Sequence, residues 1–288
     1  MSAGARPVGD RASSTAGGAK VALVTGCSTG IGRATALALQ RAGLATYATA
    51  RRPETLAELE DAGCRTLELD VTDEAQRVRA IETVHRERGR LDVLVNNAGY
   101  ARYGPVEEVP LDSWRHEFET NLFGAVRLIQ LSLPGMRDRG VGRIVIMSSM
   151  GGRIVLPVGA AYHASKFALE AMSDALRLET APFGVDVVLI EPGLVDTGYA
   201  DTASSGLHEA AEGPYGDLSR SFLAAMAASY RGRRAVRPDR VASVVVRAAT
   251  TRRPRTRYVV TWNARLLIGA HTVLPDRAWD GVLRRIFR

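Results

Sequence analysis

A regular alternation along the chain constrains the fold more than any other feature of this sequence. From Lys20 onward, short apolar runs of strand length are followed by longer segments of helical periodicity. The predicted strands cover residues 21–24, 45–49, 66–69, 91–95, 142–147, 185–190 and 258–261, and the predicted helices cover residues 31–41, 53–62, 73–88, 111–139, 161–181 and 238–249. Such alternation builds βαβ units, and the nearly continuous apolar strands indicate helices on both sheet faces. We therefore predict an α/β fold with a doubly wound, seven-stranded parallel sheet.

Two segments depart from this alternation. Residues 1–18 are mostly Ala, Gly and Ser with scattered charges and no apolar stretch, which indicates a disordered N-terminal tail and not a signal peptide. Residues 195–235 are also rich in Ala, Gly and Ser, and a long insertion after a late strand is often a mobile lid. We predict one domain over residues 19–288 that carries a substrate lid at about 195–235.

The composition limits which binding partners and which cellular compartment we expect for this protein. Arg and Lys outnumber Asp and Glu by 38 to 31, and the net charge of +7 would suit nucleic acid, an anionic membrane or a phosphorylated ligand. Because the arginines are spread along the chain, we predict a solvated basic surface and no nucleic-acid partner. Two cysteines are too few for a disulfide framework or a zinc site, so we expect no metal and a reducing cytoplasm. No apolar run approaches the roughly 20 residues that span a bilayer.

A glycine-rich turn follows the first predicted strand. Gly26, Gly30 and Gly32 stand in the run Thr-Gly-Cys-Ser-Thr-Gly-Ile-Gly, directly before the first predicted helix. Glycines let main-chain N–H groups approach a pyrophosphate, whose charge then lies at the positive end of the helix dipole. The spacing differs from the common fingerprint G-x-G-x-x-G, and a simple tight turn is the alternative. The strand before it and the helix after it favour a dinucleotide site.

The end of the second predicted strand indicates which dinucleotide binds. About 20 residues past the glycines, where such folds meet the adenosine ribose, the chain has Ala50 and then Arg51 and Arg52. An acidic residue there would bind the free 2′-hydroxyl of NAD(H), whereas guanidinium groups bind a 2′-phosphate. We predict NADP(H), with NAD(H) possible. The alternative is that both arginines are surface residues at a strand end.

Tyr162 and Lys166 stand four residues apart near the start of a predicted helix. Side chains at this spacing project from the same helix face, so the two can act together. A phenol transfers a proton poorly at neutral pH unless a nearby cation favours its phenolate, and a lysine supplies that cation. Lysine occurs only at Lys20 and Lys166 among 38 basic residues, which suggests that a compact ammonium is required here. The alternative is an exposed lysine on an amphipathic helix.

Two further polar residues are candidates by position. Ser149 follows the strand predicted at residues 142–147, at the carboxyl edge of the sheet where doubly wound folds bind ligands. Asn121 lies inside the helix predicted at residues 111–139, where a side-chain amide on an apolar face needs hydrogen-bond partners. Each alone is unremarkable, since many strand-end serines form turns and most helix asparagines are exposed.

Taken together, these motifs resemble the short-chain dehydrogenase/reductase family over roughly residues 20–200. The motifs appear in order as the glycine turn, Asp70, Asn96-Asn-Ala-Gly99, Asn121, Ser149, Tyr162-x-x-x-Lys166 and Pro192-Gly193. The resemblance implies a Rossmann-type fold and interconversion of a carbonyl and a secondary alcohol, with Tyr162 as proton donor, Ser149 on the substrate oxygen and Lys166 on both Tyr162 and the nicotinamide ribose. It implies that Asn121 holds a water that links Lys166 to solvent.

The resemblance also implies a full set of site residues. Asp70 would contact the adenine, Asn96-Asn-Ala-Gly99 would stabilise the central strand, and Thr197 would hold the carboxamide. The expected cofactor-binding residues are Gly26, Ser28, Thr29, Gly30, Ile31, Arg51, Arg52, Asp70, Val71, Asn97, Ala98, Gly99, Tyr162, Lys166, Pro192, Gly193, Val195 and Thr197. The expected substrate-binding residues are Ser149, Gly151, Tyr162, Leu194 and Tyr199.

The choice of substrate and partners is less closely constrained. Local sequence around Asn96, Asn121 and Tyr162 is similar to hydroxysteroid and retinol dehydrogenases, which favours a hydrophobic small-molecule ketone or alcohol. A catalytically idle NADP(H)-binding sensor is the alternative from another functional class. The family commonly forms dimers or tetramers through helices such as those predicted at 111–139 and 161–181. The basic amphipathic segment 266–288 either binds a membrane surface or, as we prefer, packs on the body or another subunit.

Overall fold

Seven parallel strands form the single sheet of this protein, in a computed structural model that describes residues 18–197, 207, 212–231 and 235–287. The strands are β1 (Val21–Val24), β2 (Ala45–Ala50), β3 (Arg65–Glu68), β4 (Val93–Asn96), β5 (Gly142–Met147), β6 (Val185–Glu191) and β7 (Arg257–Val259). Their order in the sheet is β3-β2-β1-β4-β5-β6-β7, and every neighbouring pair is parallel. The order reverses direction between β1 and β4, so the predicted doubly wound Rossmann-type architecture is confirmed.

Helices cover both faces of the sheet. Their bounds are α1 (Gly30–Arg41), α2 (Ala57–Asp61), α3 (Glu74–Arg88), α4 (Leu111–Phe118), α5 (Gly124–Asp138), α6 (Ala160–Thr180), α7 (Gly216–Arg231), α8 (Pro238–Thr250), α9 (Trp262–Val273) and α10 (Asp276–Ile286). Apolar side chains of α1, α2 and α8 form one core with the sheet, and those of α3, α5 and α6 form a second core on its other face. Burial on both faces explains why the strands alternate so little between apolar and polar residues.

The prediction of one continuous helix over residues 111–139 is wrong. The chain instead forms α4, a π-helical turn at Glu119–Phe123 and then α5. The extra residue of a π turn changes which side chains face inward, and such turns often lie at functional sites. Asn121 is on this turn and is buried. Gly124 follows it, and a Cβ there would lie 2.6 Å from the Val71 carbonyl oxygen, so α5 begins in close contact with the sheet edge.

Other predicted bounds differ by small amounts. The predicted helix 53–62 is a 3₁₀ turn, Pro53–Leu56, followed by α2. The strand predicted at 91–95 begins two residues later, and the one predicted at 258–261 is shorter. Of the predicted lid, residues 198–206, 208–211 and 232–234 lie outside the described residues, as do residues 1–17 of the predicted tail. The described part of the lid contains α7.

Two helices follow the last strand. α9 and α10 cover residues that the sequence assigned either to a membrane surface or to packing on the body or another subunit. Trp279 of α10 is buried and contacts the His271 ring of α9 edge-on at 5.2 Å. Within the described residues, no helix combines the length and the apolar character needed to cross a membrane.

Candidate active site

A cleft of about 1360 Å³ opens at the carboxyl ends of the central strands. Its walls come from the turns after β1, β2, β4, β5 and β6, from the start of α6, and from α7, α9 and α10. The reversal of strand order between β1 and β4 leaves a crevice at this edge, where open α/β sheets bind ligands. Single-ligand pockets usually occupy about 300–1,000 Å³. The cleft is therefore large enough for a dinucleotide together with a second small molecule.

The glycine turn forms the floor of the cleft next to α1. A Cβ on Gly26 would lie 2.9 Å from Ala98 Cα, and one on Gly32 would lie 2.5 Å from Asn97 Nδ2 and closer still to the Gly26 carbonyl oxygen. Thr29 precedes α1 but its side chain caps no helix N–H, and the first turn of α1 holds no acidic residue. The first N–H groups of this helix are thus available to an anion. The backbone fits the pyrophosphate of a dinucleotide.

Side-chain hydrogen bonds connect this turn to the end of β4. Asn97 Nδ2 donates to the carbonyl oxygens of Thr25 and Gly26 at 2.9 and 3.2 Å. Thr25 Oγ1 accepts from the main-chain N–H groups of Asn97 and Ala98 at 3.0 and 2.9 Å. These bonds hold the two loops that flank the switch in strand order at a fixed separation.

Only one of the two predicted arginines lines the cleft. Both Arg51 and Arg52 are exposed, but Arg51 lines the cleft and forms no ion pair with a carboxylate of the described residues, whereas Arg52 does not line it. Asp70 also lines the cleft, and its Oδ1 accepts from both the N–H and the hydroxyl of Thr72 at 2.9 and 2.7 Å. The cleft is thus lined here by the Arg51 guanidinium and the Asp70 carboxylate, and the Asp70 carboxylate is oriented by hydrogen bonds within its own loop.

Tyr162 and Lys166 lie together beneath the cleft. Both are on α6, both are buried, and Lys166 Nζ lies 5.9 Å from the centroid of the Tyr162 ring. Nζ donates a hydrogen bond to the Met147 carbonyl oxygen at 2.9 Å, at the end of β5. The predicted shared helix face therefore exists in three dimensions, and a backbone contact holds the ammonium against the sheet edge.

Burial and two carboxylates act on Lys166 in opposite directions. Burial lowers the pKa of Lys166 to about 8, and the negative charges of Glu117 and Glu170 oppose this effect. A lysine of this kind carries its charge at neutral pH but loses it in the mildly alkaline range.

Ser149 lies two residues past the end of β5 in an extended conformation. Its Oγ accepts a hydrogen bond from the Gly151 N–H at 3.0 Å, within the 3₁₀ turn Met150–Gly152. This bond uses the hydroxyl as an acceptor, so the hydroxyl hydrogen can be donated to a ligand oxygen. Ser149 therefore suits the role of hydrogen-bond donor to a carbonyl oxygen.

Asn121 lies behind the cleft wall and does not line it. Its Nδ2 donates to the Tyr100 carbonyl oxygen at 2.9 Å and to Ser165 Oγ at 3.0 Å, and its Oδ1 accepts from the Tyr100 N–H at 3.0 Å. Ser165 Oγ in turn donates to the Tyr162 carbonyl oxygen at 2.8 Å. Both amide hydrogens are thus bound to protein oxygens. The side chain connects the π turn to the loop after β4 and to α6.

The far end of the cleft is apolar and aromatic. The Tyr103 ring lies edge-on to Tyr162 at 6.1 Å and to Phe222 at 5.3 Å, and Phe222 stacks on Phe287 at 5.3 Å. This row leads from Tyr162 to Phe287, near the C-terminal end of the chain. It is extended by further lining residues of α9 and α10, namely Trp262, Leu266, Leu267, Trp279, Val282, Leu283 and Ile286.

Most of the predicted site residues line this one cleft. They are Gly26, Ser28, Thr29, Gly30, Ile31, Arg51, Asp70, Val71, Asn97, Ala98, Gly99, Ser149, Gly151, Tyr162, Lys166, Pro192, Gly193, Leu194, Val195 and Thr197. Arg52 and Asn121 do not, and Tyr199 lies outside the described residues. Sequence reasoning missed Tyr103, His163 and the lining residues of α9 and α10. The apolar face of residues 279–286 was the available signal for the C-terminal part.

Comparison with known proteins places the chain in a family. The family model described as short chain dehydrogenase matches residues 20–207. The chain is 34% identical to the NADPH-dependent 3-dehydrocapnine reductase of Ornithobacterium rhinotracheale, over 91% of this chain and 95% of that protein. It is 36% identical to human 17-beta-hydroxysteroid dehydrogenase type 1, over 84% of this chain and 77% of that protein.

A solved structure agrees with the fold. The crystal structure of a short-chain dehydrogenase from Streptomyces avermitilis superimposes with a TM-score of 0.78 at 35% identity, covering 88% of this chain and 92% of that one. The family match, the identity to these relatives and the strand order lead to one conclusion: this chain is an oxidoreductase that belongs to the short-chain dehydrogenase/reductase family.

Proposed function

We propose that this enzyme uses NADP(H) to interconvert a ketone and a secondary alcohol on a hydrophobic small molecule. The observation that carries the proposal is the placement of Tyr162 in the cleft, with the buried Lys166 ammonium beside its ring and Ser149 on the same wall. A phenol next to a buried cation, in a cleft that a hydroxyl donor also lines, is suited to moving one proton to or from an oxygen.

Each of the three residues has a separate part in the proposed reaction. When bound, the nicotinamide supplies or accepts the hydride at the carbonyl carbon. The Tyr162 hydroxyl donates its proton to the carbonyl oxygen in reduction and takes it back in oxidation. The Ser149 hydroxyl donates a hydrogen bond to the same oxygen as negative charge develops on it. Lys166 favours the phenolate of Tyr162 after the proton has left, and its remaining N–H groups would hold the nicotinamide ribose.

Two observations support NADP(H) over NAD(H). Arg51 lines the adenosine end of the cleft without a carboxylate partner among the described residues, and a guanidinium binds a 2′-phosphate in a bidentate manner. The name of the Ornithobacterium relative states that it depends on NADPH. We expect Asp70 to orient the adenine and Thr197, which lines the cleft beside Gly30, to orient the carboxamide.

The aromatic row supports a bulky apolar substrate. Tyr103, Phe222 and Phe287 lead away from Tyr162, and α9 and α10 add apolar side chains along the same wall. An apolar cleft with a few polar groups at one end orients a hydrophobic molecule with its carbonyl at that end. One relative acts, by its name, on hydroxysteroids. A catalytically idle sensor would not need Tyr162, Lys166 and Ser149 together, so we do not favour it.

We further propose that the protein is a homodimer or homotetramer assembled through α5 and α6. Phe123, Phe167 and Leu178 lie on or beside these helices and are exposed in the single chain, Leu178 to 73%. Exposed large apolar side chains that lie together commonly mark a protein contact. Light scattering of the purified protein tests this assembly directly, and a monomer at all concentrations would contradict it.

The test of the proposed function is a Tyr162→Phe variant assayed with steroid, retinoid, quinone and β-keto substrates. Substrates are first identified by NADPH consumption with the wild-type enzyme. We expect Tyr162→Phe to lower kcat by about 100-fold or more, the typical contribution of a positioned general acid, while NADPH binding measured by fluorescence is retained. Tyr258→Phe, on β7 and outside the cleft, is the matched control. Activity of Tyr162→Phe within a few-fold of wild type would refute the mechanism.

A further inference from the structure

Glu117 is a buried carboxylate next to the catalytic centre that the proposed mechanism does not use. It lies on α4, one helical turn before Asn121, and is 0% exposed. No side chain of the described residues donates a hydrogen bond to either of its carboxylate oxygens. An ionised carboxylate taken out of water without partners costs several kcal/mol, so chains rarely keep one in a core without a use for it.

The other buried glutamates near the site are different because cations compensate them. Arg257 Nε lies 3.0 Å from Glu170 Oε2 and 3.2 Å from Glu191 Oε1. Ser148 Oγ also donates to Glu170, and Arg153 pairs with Glu191 at 3.4 Å. Glu170 therefore has a direct cationic partner in Arg257, which also pairs with Glu191 and with Asp174 at 2.7 Å. Glu117 has no such ion pair in the described part of the chain.

The groups that face Glu117 come from two elements. α6 contributes Lys166, whose positive charge attracts the carboxylate. The loop after β4 contributes Tyr100 and Arg102, and the main-chain N–H of Arg102 acts to lower the pKa of the carboxyl. On α4 itself, the His116 ring lies against Tyr100 at 5.8 Å. Gly99 of the same loop packs between Lys166 and Asn121, since a Cβ there would lie 3.6 Å from Lys166 Nζ and 2.9 Å from Asn121 Oδ1.

We propose that Glu117 is a positioning residue whose buried carboxylate keeps the Lys166 ammonium charged and in place behind Tyr162. This role rests on the proposed function, because the charge of Lys166 matters only if Tyr162 exchanges a proton. Glu170 also acts on Lys166, but it shares its charge with Arg257. Glu117 is the carboxylate left to balance the lysine.

The two groups influence each other's protonation. Burial raises the pKa of Glu117 to about 7, while the Arg102 N–H and the charge of Lys166 act to lower it. Burial lowers the pKa of Lys166 to about 8, and removal of the Glu117 charge would lower it further. A glutamine at position 117 keeps the shape of the side chain and removes the charge.

The first experiment is the pH profile of kcat/KM for carbonyl reduction in wild type, Glu117→Gln and the control Glu119→Gln. Glu119 is exposed and lies two residues away, so it matches the position and the chemical change without the burial. We expect activity to fall on the alkaline side with a midpoint about one pH unit lower in Glu117→Gln than in wild type, the size typical of losing one nearby opposite charge. Glu119→Gln should follow wild type, and Glu117→Asp should restore most of the difference. Equal midpoints in wild type and Glu117→Gln would overturn the proposal.

The second experiment does not depend on activity. Because the folded-state pKa of Glu117 is raised above its ordinary value of 4.5, the wild-type protein loses stability as the pH rises from about 4.5 through about 7. Glutamine carries no such penalty. The Tm of Glu117→Gln minus the Tm of wild type should therefore increase as the pH rises from 5 to 8. Glu119→Gln should show no such trend. A relative Tm independent of pH would contradict the buried charge.

A third measurement uses the wild-type protein and covers the case in which Glu117→Gln does not fold. With ¹³C-labelled glutamate, one side-chain carboxyl carbon should titrate at about 7, above the ordinary glutamate value of 4.5, and be ionised at the pH at which Lys166 loses its proton. A glutamate carboxyl that stays protonated through pH 8 would overturn the proposal even if the enzyme reduces carbonyls, because a neutral carboxyl cannot balance the charge of Lys166. Conversely, failure of the Tyr162→Phe test with this titration intact would reject the proposed function and leave the buried charge standing.

Discussion

The imidazole of His163 accepts a hydrogen bond from the main-chain N–H of Leu156, with Nε2 and N 3.1 Å apart. Its other ring nitrogen, Nδ1, lies 2.9 Å from the Gly151 carbonyl oxygen. Since Nε2 must accept, Nδ1 carries the hydrogen and the ring is neutral. His163 follows Tyr162 directly, so one buried side chain connects the loop that bears Ser149 and Gly151 to α6.

We predict that His163→Ala raises KM for the carbonyl substrate and lowers the free energy of unfolding by about 1–3 kcal/mol, because the Leu156 N–H and the Gly151 carbonyl lose their partner. Burial lowers the pKa of His163, so wild type loses stability as the pH falls below the ordinary histidine value of 6.5. The variant should lack this loss. Urea unfolding at pH 5.5 and pH 7.5 measures the loss of stability and its dependence on pH. If the free energies of unfolding of wild type and His163→Ala differed by the same amount at both pH values, the prediction would be contradicted.

We predict that Arg51→Asp reverses the cofactor preference toward NAD(H). The guanidinium at the adenosine end of the cleft would be replaced by a carboxylate, which repels a 2′-phosphate and accepts a hydrogen bond from a 2′-hydroxyl. The ratio of kcat/KM with NADPH to that with NADH is the measurement. Arg52→Asp is the matched control, because Arg52 is adjacent but does not line the cleft. If the two variants changed the ratio equally, the 2′-phosphate would be read by overall charge and not by Arg51.

We predict that Gly32→Ala abolishes dinucleotide binding or folding. The added Cβ would lie within 2.5 Å of Asn97 Nδ2 and still closer to the Gly26 carbonyl oxygen, so the glycine turn or the β4 loop must move. Gly269→Ala on α9 is the control, since a Cβ there meets nothing within 4 Å and alanine is favoured over glycine in a helix by about 1 kcal/mol. Thermal unfolding with and without NADPH distinguishes the two. A stabilising shift by NADPH in Gly32→Ala equal to that of wild type would refute the prediction.

Local sequence was sufficient for much of the site. The glycine turn, Tyr162 and Lys166 are each defined by spacing within one short segment, and helical geometry places residues four apart on one face. The strands were predictable because burial on both faces makes them almost wholly apolar. The strand order itself carries Ser149 and Asp70 to the same edge of the sheet as the glycine turn. The main features of the fold and of the cofactor site therefore follow from the sequence.

The remaining features depend on contacts between distant segments, which local patterns do not record. Apolar periodicity predicted one helix over residues 111–139, but the π turn at Asn121 forms where that side chain bonds to the Tyr100 main chain. Arg51 and Arg52 look equivalent in sequence, and only the path of the chain after β2 brings one of them to the cleft. Residues of α9 and α10 line the apolar end of the cleft. Their amphipathic sequence is compatible with packing on several different surfaces, so it did not identify this one.

Tyr162 and Lys166 show the same division between local and tertiary information. The sequence by itself determined that Tyr162 and Lys166 share a helix face, because that follows from 3.6 residues per turn. Only the tertiary structure decided that Glu117, 49 positions before Lys166 in the chain, is buried where it acts on the lysine's charge. Electrostatic strength depends on burial and on the distance between groups, and packing sets both once the chain has folded.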